Sequence, residues 1–371
     1  MSVRYTDHIR RLPSTVPFVG PETTERQRGR TFRARIGANE SVFGPSPKVI
    51  AAMTDALADI WKYADPESFD LKNALAENLG VTPANIMIGE GIDGLLGTAI
   101  RLIVEPGVKV VTSLGAYPTF NFHVNASGGE LIQVPFRNDH EDLDGLLDAA
   151  HRNDASILYV SNPDNPMGTC WPGSEIERLI DSLPSGTTLF LDEAYVEFAP
   201  EGTAPRMNTD NPNVIRFRTF SKAHGMAGAR IGYAIGHDEV ITSFNKVRNH
   251  FGINCTGQIG AAAAIRDQEW VAHVRACVEQ GRERLYAIAA GNGLQAIPSA
   301  TNFVTIDCGR DGVYARAVLE ALGDRDVFVR MPFAEPGNRC IRVGVGTDDD
   351  LDIFEEEFPG ALKAALAAAG D

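Results

Sequence analysis

Cysteine is scarce and scattered: Cys170, Cys255, Cys277, Cys308 and Cys340 are the five in 371 residues. None forms a CxxC pair or joins a His/Cys cluster at metal-ligand spacing, so neither a zinc site nor a disulfide framework is expected, and no metal. Free thiols predict a reducing compartment, the cytoplasm. Long apolar runs are also missing. No stretch of eighteen apolar residues occurs, and MSVRYTDHIRRLPSTVPF has no apolar h-region, which argues against membrane spanning and secretion. Positive charge is in deficit, with 34 Lys and Arg against 49 Asp and Glu and a net charge of −15. Neither nucleic acid nor an anionic membrane is therefore expected as a partner, and an anionic small substrate would need local arginines. No tandem repeat, low-complexity tract or Pro/Gly/Ser linker divides the chain.

What is present is an apolar fraction of 44%, ample for a sizeable core, in a length that suits about two domains. From about residue 86 strand-like and helix-like segments alternate, which predicts an α/β fold with a mostly parallel central sheet flanked by helices. Ile157-Leu158-Tyr159-Val160 and Thr188-Leu189-Phe190-Leu191 are continuous apolar runs of the kind buried on both faces. Ser46-Pro47 opens a helix whose apolar spacing runs through Ile50, Met53 and Leu57. The expected division is an arm over 1–45, a large domain over 46–290 and a C-terminal portion over 291–371, with the smaller α+β domain built from both chain ends. The arm is locally basic through Arg26, Arg28, Arg30, Arg33 and Arg35. It reads as a solvated segment docked on the body, with attraction of an anionic substrate as the alternative.

The chemistry centres on RFRTFSKAHGMAGARIGYAIG, residues 216–236. Lys222 follows a β-like run and sits beside small residues, where an amine can face a cleft. A neutral amine condenses with an aldehyde to an imine and, once released, can carry a proton between neighbouring carbons. Alone, such a lysine is more often a solvated surface charge. Ser221 and Arg230 beside it offer the hydroxyl and guanidinium that a phosphate-bearing aldehyde requires, and pyridoxal 5′-phosphate is that aldehyde.

Other segments add to the pattern. Gly91, Ile92, Asp93 and Gly94 open a helix, whose outward backbone N–H groups make an anion cradle. Tyr117 ends a strand and either lies against a planar ring or packs in the core. Asn165 precedes Pro166 in SNPDNPMGT and can present its side-chain amide to an oxygen anion; a simple Asx-Pro turn would explain the asparagine but not its register with the two motifs around it. Asp192 closes a buried strand, where a carboxylate is costly unless paired; a pyridinium N–H would pair it and make the ring an electron sink. Tyr195 can donate to the ring's phenolic oxygen alongside Asn165. Arg342 interrupts a strand of Ile, Val and Gly and calls for an anion, and Arg330 in VFVRMPF is a second candidate, each with an internal ion pair as the alternative.

SKAHGMAGARIGY resembles the cofactor-lysine signature of the pyridoxal-phosphate aminotransferases typified by histidinol-phosphate aminotransferase. GANESVFGPSP, the NPDNPMGT turn, DEAYVEF and CIRVGVGT resemble further motifs of that family in order, from about Gly37 to Thr347. The resemblance implies the aspartate-aminotransferase fold (fold type I) and transfer of an amino group from an amino acid or phosphorylated amine to a 2-oxo acid through a Lys222 Schiff base. It implies that Asn39 belongs to the substrate pocket entrance and that Arg330 and Arg342 grip the substrate's anionic group. It also implies a homodimer in which Tyr63, of the Y-x-D-P motif, reaches the partner's cofactor phosphate; otherwise Tyr63 is a packing residue. An aromatic or other amino-acid aminotransferase and a related decarboxylase share these motifs. Ser41, Val42, Gly94, Asp164 and Met167 depart from the usual pattern.

Overall fold

The computed structural model describes residues 3–14 and 18–368. Its largest sheet has seven strands in the order Ile86–Gly89, Gly232–Ile235, Val214–Thr219, Thr188–Asp192, Ile157–Ser161, Lys109–Ser113, Glu130–Val134. Only Gly232–Ile235 runs antiparallel to its neighbours; the others share one direction. The continuous apolar runs become central strands because both faces are covered. On one face Ile157, Tyr159 and Phe190 pack with the helix Gly91–Ile103. On the other, Leu158, Val160, Leu189 and Leu191 meet the helices Leu143–Asn153 and Gly173–Asp181.

A second core joins Ala34 and Ile36 to the C-terminal third. Its strands Gln295–Ile297, Phe303–Asp307 and Cys340–Gly344 form an antiparallel sheet, and Ala34–Arg35 pairs in parallel with Val327–Phe328. The helices Gly312–Asp324 and Asp348–Ala368 and the long helix Gln268–Gly291 bury their apolar stripes there. The basic arm docks through ion pairs, Arg28 and Arg30 to Asp326 and Arg33 to Glu357.

The helix expected from Ser46 runs Pro47–Ala56 with the Ser46 hydroxyl capping the Val49 amide. Its buried face differs from the expected one: Ile50 and Leu57 are exposed, and Val49 and Met53 pack inward. Tyr63 lies beyond the helix in an extended loop and is 82% exposed. Among the described residues no helix is long and apolar enough to cross a membrane.

Candidate active site

The carboxyl ends of the parallel strands open on a cavity of about 900 Å³, the place where open α/β sheets bind ligands. Its lining includes Lys222, Asp192, Tyr195, Asn165, Ser221, Arg230, Ile92, Asp93, Tyr117, Asn39, Arg330 and Arg342. Of the residues singled out in the sequence, Gly91, Gly94 and Tyr63 are outside this lining. Gly91 stands behind Arg230: a Cβ there would meet the Arg230 Nη2 at 2.7 Å. Gly94 borders an adjoining groove with Asp93 and His123.

Lys222 leaves the end of Val214–Thr219 in a turn closed by the Ser221 amide, which donates to Thr219 Oγ1 at 3.0 Å. At Gly225 (φ +67°) the backbone passes so near Gly44 that a Cβ would lie 2.2 Å from its carbonyl carbon. That close approach ties the lysine loop to the entrance segment. The Lys222 Nζ donates to the Asn39 carbonyl at 2.9 Å and lies 5.5 Å from the Tyr195 ring centroid. Burial, and then the charge of Arg342, lower its pKa to about 8, so a neutral amine is accessible near neutral pH.

Asn39 ties this amine to Tyr195. Its Nδ2 donates to the Tyr195 hydroxyl at 3.1 Å, and its carbonyl also accepts from Asn302 at 3.2 Å. Asn39 adopts φ 57° and its Oδ1 is buried without a partner. Burial pushes the Tyr195 and Tyr117 hydroxyls up to about 12, so both remain protonated donors.

Asp192 is 5% exposed. Its Oδ1 accepts the Ala194 amide at 3.0 Å and its Oδ2 the Tyr159 hydroxyl at 2.7 Å. Burial raises its pKa to about 6, which leaves it ionised at neutral pH.

Arg342 donates to the Asn165 side-chain oxygen and, at 3.4 Å, to the Gly37 carbonyl. Arg330 donates to the Val19 carbonyl, with Phe18 stacked 4.1 Å from its guanidinium. The Nε of each arginine is buried with no acceptor.

These groups fit pyridoxal phosphate. Ser221, Arg230 and the first N–H groups of the 13-residue helix Gly91–Ile103 suit its phosphate, and the missing Cβ at Gly91 leaves Arg230 its place. Asp192 suits a protonated ring nitrogen, Tyr195 a phenolic oxygen and Lys222 an aldehyde. Several cavity residues carried no sequence signal. Phe18, Met331 and Phe333 arrive from irregular segments. Tyr159 was hidden in an apolar run, although its period-two alignment with Ser161 at the strand end placed it below the site.

The sequence model of the aminotransferase class I and II family matches residues 35–358. The chain belongs to that family. Within it the similarity is to histidinol-phosphate aminotransferases. "Histidinol-phosphate aminotransferase 2" of Nitrosospira multiformis is 34% identical over 340 residues, 91% of this aminotransferase and 86% of the relative. The aromatic amino acid aminotransferase of Thermobifida fusca is also 34% identical, over 95% of this chain and 97% of its own. Among solved structures, the histidinol-phosphate aminotransferase from Sinorhizobium meliloti in complex with pyridoxal-5′-phosphate is 51% identical with a TM-score of 0.95, covering 98% of both chains. The Thermus thermophilus aspartate aminotransferase double mutant, 24% identical with a TM-score of 0.82 over 97% of this chain and 100% of that one, shares the fold. The mostly parallel sheet expected from the alternating segments is thus the sheet of the aminotransferases.

Proposed function

We propose that this aminotransferase moves the amino group of a phosphorylated amine of the histidinol-phosphate type onto a 2-oxo acid, using pyridoxal 5′-phosphate. The single observation that carries this reading is the pairing of Arg330 and Arg342. Two guanidiniums, each with a buried and unpartnered Nε, suit a phosphate dianion better than one carboxylate. The 51% identity to the Sinorhizobium meliloti enzyme supports the same substrate class.

Bound pyridoxal phosphate supplies an aldehyde to which amines attach and a ring that accepts the electron pair left at the substrate Cα. Lys222 would hold the cofactor aldehyde through its Nζ, and the same amine, when free, would be the base that takes and returns the proton of the substrate Cα. Asp192, ionised at neutral pH, would pair with the ring nitrogen and favour its protonated form. Tyr195 and Asn165 would donate to the cofactor's phenolic oxygen, and Tyr117, on the same cavity wall, would pack against its ring. Ser221, Arg230 and the backbone from Gly91 to Gly94 hold the phosphate. Asn39, Arg330 and Arg342 orient the substrate.

The working unit in this reading is a homodimer. Tyr63, exposed and packed on Phe251 at 4.8 Å between ring centroids, lies with Ile60, Trp61 and Phe69 in an exposed apolar stretch suited to a second copy. Its hydroxyl would then serve the partner's phosphate.

The test is a single-turnover panel with the cofactor-loaded enzyme. Histidinol phosphate is expected to bleach the visible band at micromolar concentration. Bleaching by phenylalanine or tyrosine alone would reject the phosphorylated substrate, and release of carbon dioxide without 2-oxo acid consumption would reject amino transfer.

A further inference from the structure

Strands Ile157–Ser161 and Thr188–Asp192 run side by side with Tyr159 opposite Phe190 and Ser161 opposite Asp192. Residues two apart share a face of a strand, so these four side chains form one patch climbing to the cavity floor. Tyr159 is fully buried, its ring stacked on Phe120 at 4.1 Å between centroids. Its hydroxyl donates to Asp192 Oδ2 at 2.7 Å and accepts from Ser161 Oγ at 3.2 Å.

We propose that Tyr159 is a positioning residue for the reaction: its hydroxyl, polarised by Ser161, orients the Asp192 carboxylate and keeps it ionised beneath the cofactor ring nitrogen. The proposal rests on the reading of Asp192 given above.

A buried carboxylate with too few donors takes up a proton, and a neutral carboxyl cannot hold a proton on a pyridine nitrogen. Burial acts on Asp192 in that direction, and the Tyr159 hydroxyl is the largest influence against it. Toward Asp192 the Tyr159 hydroxyl stays the donor, because burial and then the Asp192 charge raise its own pKa well above the ordinary value and keep its proton in place. Other ionisable groups also act on this pair: Glu141 on Tyr159, Glu193 and Lys222 on Asp192, and Asp164, Glu141, Tyr117 and Tyr195, each of which interacts with the Asp192 charge. The stacked Phe120 fixes the ring, so the hydroxyl has one target.

A double-mutant cycle with Tyr159→Phe, Asp192→Asn and the double variant decides it. Pyridoxal phosphate affinity of the cofactor-free proteins is measured by fluorescence titration, and kcat and KM of the loaded ones with the amino donor. Loss of a hydrogen bond to a charged group predicts roughly tenfold weaker cofactor binding and a comparable fall in kcat for Tyr159→Phe, with KM unchanged. In the Asp192→Asn background the same change should cost less than about twofold, since the carboxylate it serves is gone. Equal losses in both backgrounds overturn the proposal and leave Tyr159 a packing residue. Wild-type cofactor affinity in Asp192→Asn would instead sink the role of Asp192 itself, which separates the two failures. If circular dichroism finds Tyr159→Phe unfolded, Ser161→Ala replaces it. That variant should weaken cofactor binding by roughly threefold, as befits loss of one neutral hydrogen bond, and unchanged affinity counts against the proposal.

Discussion

Arg330 and Arg342 face each other across an antiparallel bridge, the amide of each donating to the carbonyl of the other at 3.1 and 2.6 Å. Residues directly opposite in such a pair point to the same side, where like charges repel. Burial lowers the pKa of Arg342 to about 10, as expected of a cation short of counter-charge. A dianion between the two would turn this cost into a recognition device. Arg342→Gln should therefore raise KM for a phosphorylated amine by about a hundredfold, the scale of losing a bidentate charge-assisted contact, with a smaller effect on kcat. Steady-state kinetics with the loaded enzyme checks this. An unchanged KM would remove the arginine pair from the substrate site.

Lys222 carries a stability cost in the cofactor-free protein. Its native pKa of about 8 lies below the ordinary 10.5. Below pH 8 both folded and unfolded chains hold the proton, and the folded chain bears the full penalty of a buried charge. The penalty shrinks as pH rises from 8 to 10.5 and is absent above that window. The gap corresponds to about 3 kcal/mol. Lys222→Met should therefore stabilise the cofactor-free protein by up to that amount at pH 7, with the gain fading toward pH 10.5. Urea unfolding at pH 7 and pH 10 reads the difference, and a destabilised variant at pH 7 would contradict the argument.

The phosphate end depends on an absence. Gly91 has φ +76°, and an added Cβ would press on the Arg230 guanidinium. Gly91→Ala should cost about 1 kcal/mol in folding from backbone strain alone. The larger effect should be on cofactor retention, because Arg230 must move: at least about tenfold weaker binding, the scale of a disturbed charge-assisted contact. Equilibrium dialysis of pyridoxal phosphate, alongside urea unfolding, separates the two losses. Full retention with reduced stability would show that Arg230 needs no such clearance.

Which parts of this were legible in sequence follows from how information is laid along the chain. Asp192, Asn165 and Lys222 end or follow apolar runs, and parallel strands bring their carboxyl ends together, so order along the chain became proximity. Arg342 was visible because a guanidinium contradicts its Ile/Val/Gly surroundings. Phe18 and Phe333 were not, since irregular backbone has no period to announce which way a side chain points. Ile50 and Leu57 show the limit of periodicity: the helix was right, but its inward face was set by the helix Cys255–Arg266, in whose cluster Val49 lies. Tyr63 exposes a different limit, for one chain's fold holds no information on what a second copy covers.

The carboxylate next to Asp192 does opposite work. Glu193 is fully buried, its Oε1 taking the Arg216 Nη2 at 2.5 Å and its Oε2 the Nε of Arg216 and of Arg218 at 2.9 Å each. Burial alone would raise its pKa, but the two guanidiniums overcome this and hold it below 4.5. Its contribution to stability is therefore complete above pH 4.5 and is lost as pH falls through the native pKa. Glu193→Gln would leave Arg216 without its carboxylate partner and Arg218 with Glu197 alone, and breaking a buried pair in this way costs about 3–5 kcal/mol. The same end of the strand carries Asp192, and the Glu193 amide donates to the Phe217 carbonyl on the strand that leads to Lys222. Loosening this triad should thus weaken cofactor binding along with stability, whereas replacing an exposed pair such as Arg10 with Asp7 should do neither. Urea unfolding of Glu193→Gln with cofactor titration at a pH above 6 tests the link. A variant of wild-type stability would mean that Glu197 and solvation, not Glu193, offset the charges of Arg216 and Arg218.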